Sequence, residues 1–284
     1  MFKGIVQSIG TVSLAVVMGP HLQAADHGPV FGLATPTNPQ GGWSFDLGVN
    51  GRVGSGGATA TPEALLSYGL TPNVKLSVSG PVVIAPDPYA RSSVTTNTPI
   101  SGDFSALTWW RFQKKDFAGK RIESTAVAGV LVPGPQAEAG LYRGLNSGLG
   151  YMVGAVTGIA SRSQYVWVGS TYQRYAESKG DRRPDLISSS LVYGYRPQSW
   201  RTDYPRWDWR VFGELTGERS GSLQRNNAAL PGSQAAQIFL GPSVLGVYRA
   251  IGVEAGMQFP LYRDTGPLYP RERYRFAVNF AYFF

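Results

Sequence analysis

The chain ends in RYRFAVNFAYFF at residues 273–284, and this stretch decides the fold class. Its even positions, from Tyr274 to Phe284, are large and apolar, whereas its odd positions from Arg273 to Ala281 are charged, polar or small. Side chains alternate between the two faces of a β-strand, so one face of this strand is aromatic. A soluble protein would bury that face in a core, whereas a transmembrane barrel turns it to lipid.

The chain stops on an aromatic residue, and two more aromatics share its face. Phe280, Tyr282 and Phe284 resemble the C-terminal signature that the β-barrel assembly machinery of the outer membrane recognises. We therefore expect these residues to act as an assembly signal, with that machinery and outer-membrane lipid as partners. The predicted location is the outer membrane of a Gram-negative cell.

The same alternation recurs along the whole chain. With the final strand, the pattern predicts an all-β protein, a transmembrane antiparallel β-barrel of about 12 strands, because single-chain bacterial barrels have an even strand number. A tilted membrane strand needs about 9–11 residues. The other predicted segments are one around 45–53 and those near 60–70, 73–83, 103–113, 120–132, 147–160, 163–175, 185–197, 206–219, 235–245 and 247–260.

The connections between these segments alternate in length. Short turns are predicted near 71–73, 114–119, 161–163 and 245–246, and longer stretches rich in Pro and Gly lie between the other segments. Outer-membrane barrels have short periplasmic turns and longer external loops. With a periplasmic N-terminus, most of the long stretches fall outside the cell. The turn near 197–205 is longer than this pattern predicts.

Composition agrees with a barrel but does not require one. Charged residues make up 15% and aromatics 12%, while the mean hydropathy of −0.13 is too polar for a helical membrane protein. A soluble β-sandwich would have a similar composition. The chain has no Cys, which excludes a disulfide scaffold, a Cys-ligated metal site and a thiol nucleophile.

The N-terminus divides into two segments before the barrel at 43–284. Residues 1–24 resemble a signal peptide, with Lys3 before an apolar stretch and a cleavage site after Ala24. An N-terminal anchor is the alternative. Residues 25–42 are rich in Pro and Gly, so neither a regular strand nor a helix is expected. This segment is predicted to lie irregularly in the periplasm or to plug the lumen.

One uncharged stretch allows a competing interpretation. Residues 144–161 carry Gly150, Gly154 and Gly158, a spacing found where transmembrane helices pack together. A lone transmembrane helix is therefore conceivable. The many glycines and the period-two pattern of the neighbouring segments favour a strand instead.

Charged residues on the polar faces are the candidate functional residues. A charge that faces lipid at the membrane midplane costs roughly 2–4 kcal/mol, so we expect these side chains to line the lumen. They could set the charge preference for a solute, or form a salt-bridged filling of a narrow barrel. They are Asp46, Arg52, Arg121, Glu123, Arg196, Asp208, Arg210, Glu214, Glu254, Arg273 and Arg275.

Catalysis and metal binding have little support. The only histidines are His21, within the signal peptide, and His27, outside every predicted strand. Outer-membrane hydrolases that use His as a base need it at the barrel wall or rim. Asp26 and His27 alone make a poor metal site, so no catalytic residue, metal or cofactor is expected. The net charge falls from +8 to +7 on loss of Lys3, without a basic run, so no nucleic acid is expected.

Several short motifs resemble the outer-membrane transporter family of phenol-degradation (meta-cleavage) pathways. They are YGLTPN at 68–73, AGVLVPG at 128–134, YGYRP at 193–197, LGP at 240–242 and QFP at 258–260. The resemblance implies a β-barrel transporter, with no solute specified. We therefore expect a porin-like channel for small solutes, hydrophobic or aromatic ones among them. A closed structural or surface-recognition barrel is the first alternative, and an outer-membrane enzyme is the second.

Overall fold

A computed structural model describes residues 28–83, 89, 94–96, 102–134, 144–201 and 206–284. The predicted signal peptide at residues 1–24 and both histidines lie outside these residues. Twelve long strands are present: β1 (Trp43–Gly54), β2 (Gly57–Thr71), β3 (Val74–Pro81), β4 (Phe104–Phe117), β5 (Lys120–Val132), β6 (Ser147–Ser161), β7 (Gln164–Glu177), β8 (Leu186–Tyr195), β9 (Asp208–Ser220), β12 (Ala235–Tyr248), β13 (Ile251–Thr265) and β14 (Glu272–Phe283). Two short strands, β10 (Gln224–Arg225) and β11 (Ala228–Ala229), form a hairpin between β9 and β12.

The twelve long strands form one closed antiparallel barrel. Each strand pairs with its neighbour along the chain, and β1 pairs with β14 from Ser44↔Phe283 to Gly54↔Glu272. Closure satisfies the backbone hydrogen bonds of the first and last strands, so the barrel has no open edge. The predicted fold class and strand number are confirmed.

Alternation along the strands separates a lipid-compatible exterior from a filled interior. On β14, Val278 and Phe280 are 54% and 45% exposed, whereas Ala277 and Ala281 are 2% and 1% exposed. The exposed set on the other strands is also rich in Leu, Val, Phe, Tyr and Trp. Among the described residues, no helix is long and apolar enough to cross a bilayer.

The glycine stretch that could have been a helix is strand β6. Gly150, Gly154 and Gly158 face the interior opposite Tyr175, Thr171 and Trp167 of β7. A Cβ added at Gly158 would lie 2.3 Å from the Trp167 ring, and one at Gly150 would lie 2.7 Å from the Tyr175 ring. The glycines therefore leave room for large side chains from the next strand to lie across β6.

The two ends of the barrel differ in their connections. At one end, two-residue turns join β2 to β3, β4 to β5, β6 to β7 and β12 to β13. Most connections at the other end are long, although β1 and β2 are joined there by two residues. We call these the short-turn end and the long-loop end. By analogy with outer-membrane barrels, they correspond to the periplasmic and external sides.

A β-bulge at the start of β14 changes one predicted lumen position. Gly54 pairs with Glu272 and Val53 with Tyr274, so Arg273 has no partner in the register. The extra residue reverses the alternation. Arg273 is exposed, while Glu272 is buried and faces inward with Arg275. The prediction that Arg273 lines the lumen was therefore wrong, because strict alternation cannot anticipate a bulge.

Candidate functional site

The interior of the barrel contains residues 28–38, which belong to the chain before β1. Residues 28–38, which we call the inner segment, are mostly buried, with Phe31 and Leu33 fully so. A Cβ at Gly32 would lie 2.3 Å from Val192 of β8, and one at Gly256 of β13 would lie 2.7 Å from the Phe31 ring. The segment thus contacts inward-facing residues on separate strands.

Glu214 of β9 is the main attachment point of the inner segment. Its carboxylate is fully buried and accepts hydrogen bonds from the backbone N–H groups of Val30, Phe31 and Gly32 at 3.0, 2.8 and 2.7 Å. The hydroxyl of Ser243 on β12 donates a further bond to the same carboxylate. Successive N–H groups that converge on an anion form a strong, charge-assisted contact.

Thr35 forms a second attachment on the neighbouring wall. Its hydroxyl donates to the Glu123 carboxylate at 3.3 Å and accepts the indole N–H of Trp167 at 3.1 Å. Its carbonyl accepts the hydroxyl of Thr125 at 3.0 Å. Trp167 reaches this position because Gly158 lies beneath it, so the glycines of β6 also help to position the inner segment.

A buried ion cluster lies at the long-loop end. The guanidinium of Arg275 contacts Glu272 at 2.6 Å and Glu218 of β9 at 2.5 Å, and it lies 3.8 Å from the centre of the Phe239 ring. Arg52 of β1 lies 3.9 Å from Glu272. Such a network links β1, β9 and β14 and fills this part of the lumen.

Two aspartates connect the loops at the long-loop end through hydrogen bonds and an ion pair. Asp103 pairs with Arg183 at 2.5 Å and accepts the hydroxyl of Tyr175 at 2.5 Å. Asp181 accepts the backbone N–H groups of Asn146 and Asn226, each at 3.0 Å. These two hydrogen bonds, that of Asn146 first, lower the pKa of Asp181 below its ordinary value.

The predicted charges near the short-turn end are half-buried or exposed. Asp208 contacts Arg196 at 2.6 Å and Arg210 at 3.1 Å, and all three side chains are half-buried. Arg121 pairs with Asp116 at 2.7 Å and is 46% exposed, so it lies at the barrel rim. The expectation that Arg121 lines the lumen is corrected to this rim position, because β5 begins at Lys120, one residue before Arg121.

A cavity of about 160 Å³ remains beside the inner segment. It lies against the wall formed by β13, β14 and β1 to β4, on the other side of the segment from Glu214. Its volume far exceeds the roughly 10–15 Å³ that one water molecule requires. Its charged lining residues are Asp46, Glu63, Lys75 and Glu254.

Most of the predicted lumen charges face the interior, but several important charges were missed. The structure buries Asp46, Arg52, Glu123, Glu214, Glu254 and Arg275 inside the barrel. It adds Glu63, Lys75, Arg111, Glu218 and Glu272 to the inward-facing charges. Alternation could have identified Glu218, which shares the face of Glu214. Glu272 was missed because strict alternation, without the bulge, places it on the outer face of β14.

Among the described residues, no group of three or more His, Asp or Glu side chains could hold a metal ion. The aromatics Phe280, Tyr282 and Phe284 point outward and are 45%, 38% and 40% exposed. Their part in assembly stays a prediction.

Comparison with known proteins identifies a fold but no family. No family profile matches the chain, and no curated protein sequence matches it. The fold resembles that of the COG4313 outer membrane channel from Pseudomonas putida F1, with a TM-score of 0.59 and 12% identity over 87% of this chain and 97% of that one. The chain therefore has the fold of an outer-membrane channel.

More distant solved structures include two other barrels. The NanC porin has a TM-score of 0.49 and 10% identity over 84% of this chain and 98% of that one. LpxR from Salmonella typhimurium has a TM-score of 0.42 and 11% identity over 85% and 100%.

Proposed function

We propose that this protein is an outer-membrane channel for small solutes, including solutes with an apolar or aromatic body. The supporting observation is the cavity beside the inner segment, which is lined on one side by polar strand residues and on the other by the segment itself. The inner segment fills part of the lumen, and in this proposal the solute passes along the remaining space beside β13, β14 and β1 to β4. A narrow path with fixed charges favours selective passage over general diffusion.

The inner segment acts as a removable restriction in this proposal. Hydrogen bonds join the segment to Glu214 of β9, and a further one joins Thr35 of the segment to Thr125 of β5. The segment is not paired as a strand at these contacts, so it can leave without disrupting the strand pairing of the barrel. Because the barrel carries its own closed set of backbone hydrogen bonds, loss of the segment should leave the wall intact.

Single-channel recording in a planar bilayer tests the proposal. The refolded protein should show small, discrete openings, and a variant lacking residues 26–40 should show openings several-fold larger. Heat-modifiability on a gel verifies that both proteins are folded. A folded deletion variant that never conducts would contradict a channel.

A closed structural or surface-recognition barrel is the second candidate. The ion cluster around Arg275 and the buried pair of Asp103 with Arg183 favour it, because they fill the long-loop end. Charge reversal of Arg210 distinguishes the two. A channel should change its ion selectivity, whereas a closed barrel should lose only stability.

Membership of the phenol-degradation transporter family remains a prediction from short motifs. An enzymatic role has less support than a channel, because neither histidine lies in a predicted strand.

A further inference from the structure

We propose that the end of the β4–β5 hairpin binds the headgroup of an anionic phospholipid in the leaflet at the short-turn end. This part of the hairpin, residues 112–123, is here called the hairpin tip. The inference needs only a barrel in a membrane, so it does not depend on the proposed channel function. It starts from the length of β4 and β5 relative to the neighbouring strand β3.

The hairpin tip extends beyond the start of β3. The pairing of β3 with β4 ends at Val74↔Trp110, and the N–H of Arg111 donates to the carbonyl of Asn73 at 2.8 Å. From Phe112 to Phe117, β4 has no strand partner on its β3 side among the described residues. A strand edge with unpaired backbone groups is not tolerated in hydrocarbon. The hairpin tip therefore lies at the depth of the lipid headgroups or the water beyond them.

A β-bulge determines which face of the hairpin tip each side chain occupies. It lies between Arg111 and Gln113 and reverses the alternation of β4. Beyond the bulge, Lys114 pairs with Glu123, which is buried inside the barrel. Paired residues lie on the same face, and successive residues lie on opposite faces. Lys115 therefore belongs to the outward face.

The outward face of the hairpin tip combines cations with apolar side chains. Lys115 pairs with Ile122, and Phe117 pairs with Lys120, so these four residues share the face. Both lysines are exposed, and Phe117 is 40% exposed. The face therefore resembles the amphipathic surfaces that lie in the interface of a bilayer.

The carboxylates of the hairpin tip lie on the opposite, lumen-side face. Asp116 pairs with Arg121 in the register, and their side chains form an ion pair at 2.7 Å. Glu123 forms an ion pair with Arg111 at 3.1 Å. Within residues 112–123, all of which the structure describes, the outward face thus carries two ammonium groups and no carboxylate.

The outward face adjoins the part of the wall that faces lipid. Trp110 and Phe112 are 55% and 52% exposed, and their ring centres are 5.7 Å apart. Exposed aromatics of membrane barrels mark the boundary between hydrocarbon and headgroups. Lys115 and Lys120 lie just beyond that boundary, which is the depth of the lipid phosphates.

An anionic phospholipid fits this face better than an acidic protein segment does. Lysines near a membrane surface are attracted to anionic headgroups, and the attraction falls off within a Debye length. Phe117 and Ile122 would lie against the upper part of the acyl chains. A protein segment would instead have to displace lipid in order to reach a face that is turned toward the bilayer.

A fluorophore on the hairpin tip can report which lipid lies beside it. Because the chain has no Cys, Gln113→Cys provides a single attachment point on the face of Lys115. The labelled, refolded protein is placed in phosphatidylethanolamine vesicles that contain a minor fraction of brominated phosphatidylglycerol or, for comparison, brominated phosphatidylcholine. Quenching of the fluorophore measures how strongly each brominated lipid is enriched beside the tip.

Phosphatidylglycerol should be enriched at least about threefold over phosphatidylcholine at low salt, because it alone carries a net negative charge. The enrichment should decrease at high salt, which screens exposed charges. Equal quenching by the two lipids would overturn the inference and would favour an acidic protein segment as the partner.

Two double variants of the labelled protein assign the enrichment to one face. Lys115→Gln with Lys120→Gln should abolish it. The matched control, Lys114→Gln with Arg121→Gln, removes the same amount of charge from the lumen-side face and should retain most of it. Heat-modifiability on a gel verifies that both variants are folded. Enrichment that survives in the first variant, or that is lost equally in both, would contradict the proposed site.

Discussion

Carboxylates face the lumen from both sides of the barrel, but one binds the inner segment and the others line the cavity. On the side of β9, Glu214 is fully buried and accepts three backbone N–H groups from the inner segment. On the side of β14, Asp46 and Glu254 share the amide of Asn279 and border the cavity. The difference shows that an inward-facing acid can hold the inner segment or border the cavity, and the position of the segment decides which.

The largest expected effect is on the filled side. Replacement Glu214→Leu leaves three buried N–H groups without their acceptor, so we expect a loss of about 3–5 kcal/mol in the free energy of unfolding. The inner segment should also detach more often and increase the mean conductance. Urea unfolding in lipid vesicles and single-channel recording measure the two effects.

Ser190→Ala is the matched control for that variant. It removes a single hydrogen bond to the N–H of Leu33, worth about 1 kcal/mol. A Glu214→Leu protein no less stable than Ser190→Ala would mean that the carboxylate does not hold the segment.

A second test compares Arg275 with Arg273, two residues away on the same strand. Arg275→Gln breaks charge-assisted bonds to two buried carboxylates and should cost about 2–3 kcal/mol. Arg273→Gln changes an exposed side chain and should alter stability by less than about 0.5 kcal/mol. Equal losses in the free energy of unfolding would contradict the bulge, which turns Arg273 outward and Arg275 inward.

On the cavity side, the effect on stability should be small. Glu254→Gln retains the shape of the side chain and an acceptor oxygen for Asn279, so we expect a change within about 1 kcal/mol. The same variant should make the channel less cation-selective, measured as a reversal potential in a KCl gradient. A large loss of stability with unchanged selectivity would place Glu254 with the structural carboxylates.

The smallest effect is confined to the long-loop end and depends on pH. The pKa of Asp181 is lowered in the folded protein, so its contribution to stability is present above the ordinary pKa and is lost as the pH falls through the lowered value. Acidification should lower the hydrogen-exchange protection factors of the Asn146 and Asn226 amides, which correct for the slower intrinsic exchange at low pH. Asp181→Asn should show low protection factors at every pH, and an acid dependence that persists in this variant would assign the effect to another group.

Much of the fold could be predicted because its cause is local. Period-two alternation in 273–284 and the other segments reflects a barrel wall with lipid on one face, and every predicted segment corresponds to a strand. The bulge at Arg273 could not be predicted, because it depends on how β14 pairs with β1. The inner segment was expected either in the periplasm or in the lumen, since its composition excluded only regular structure.

By itself, the sequence determined the barrel, the number of strands and the face of most side chains, because burial against lipid imposes a strict alternation on each strand. Only the tertiary structure decided which inward-facing charges meet. Glu254, Asn279, Gly48 and Glu63 are far apart in the chain and lie in one row through the register of four strands. That register is set by strand pairing and by closure of the barrel, and the alternation within a single strand does not predict it.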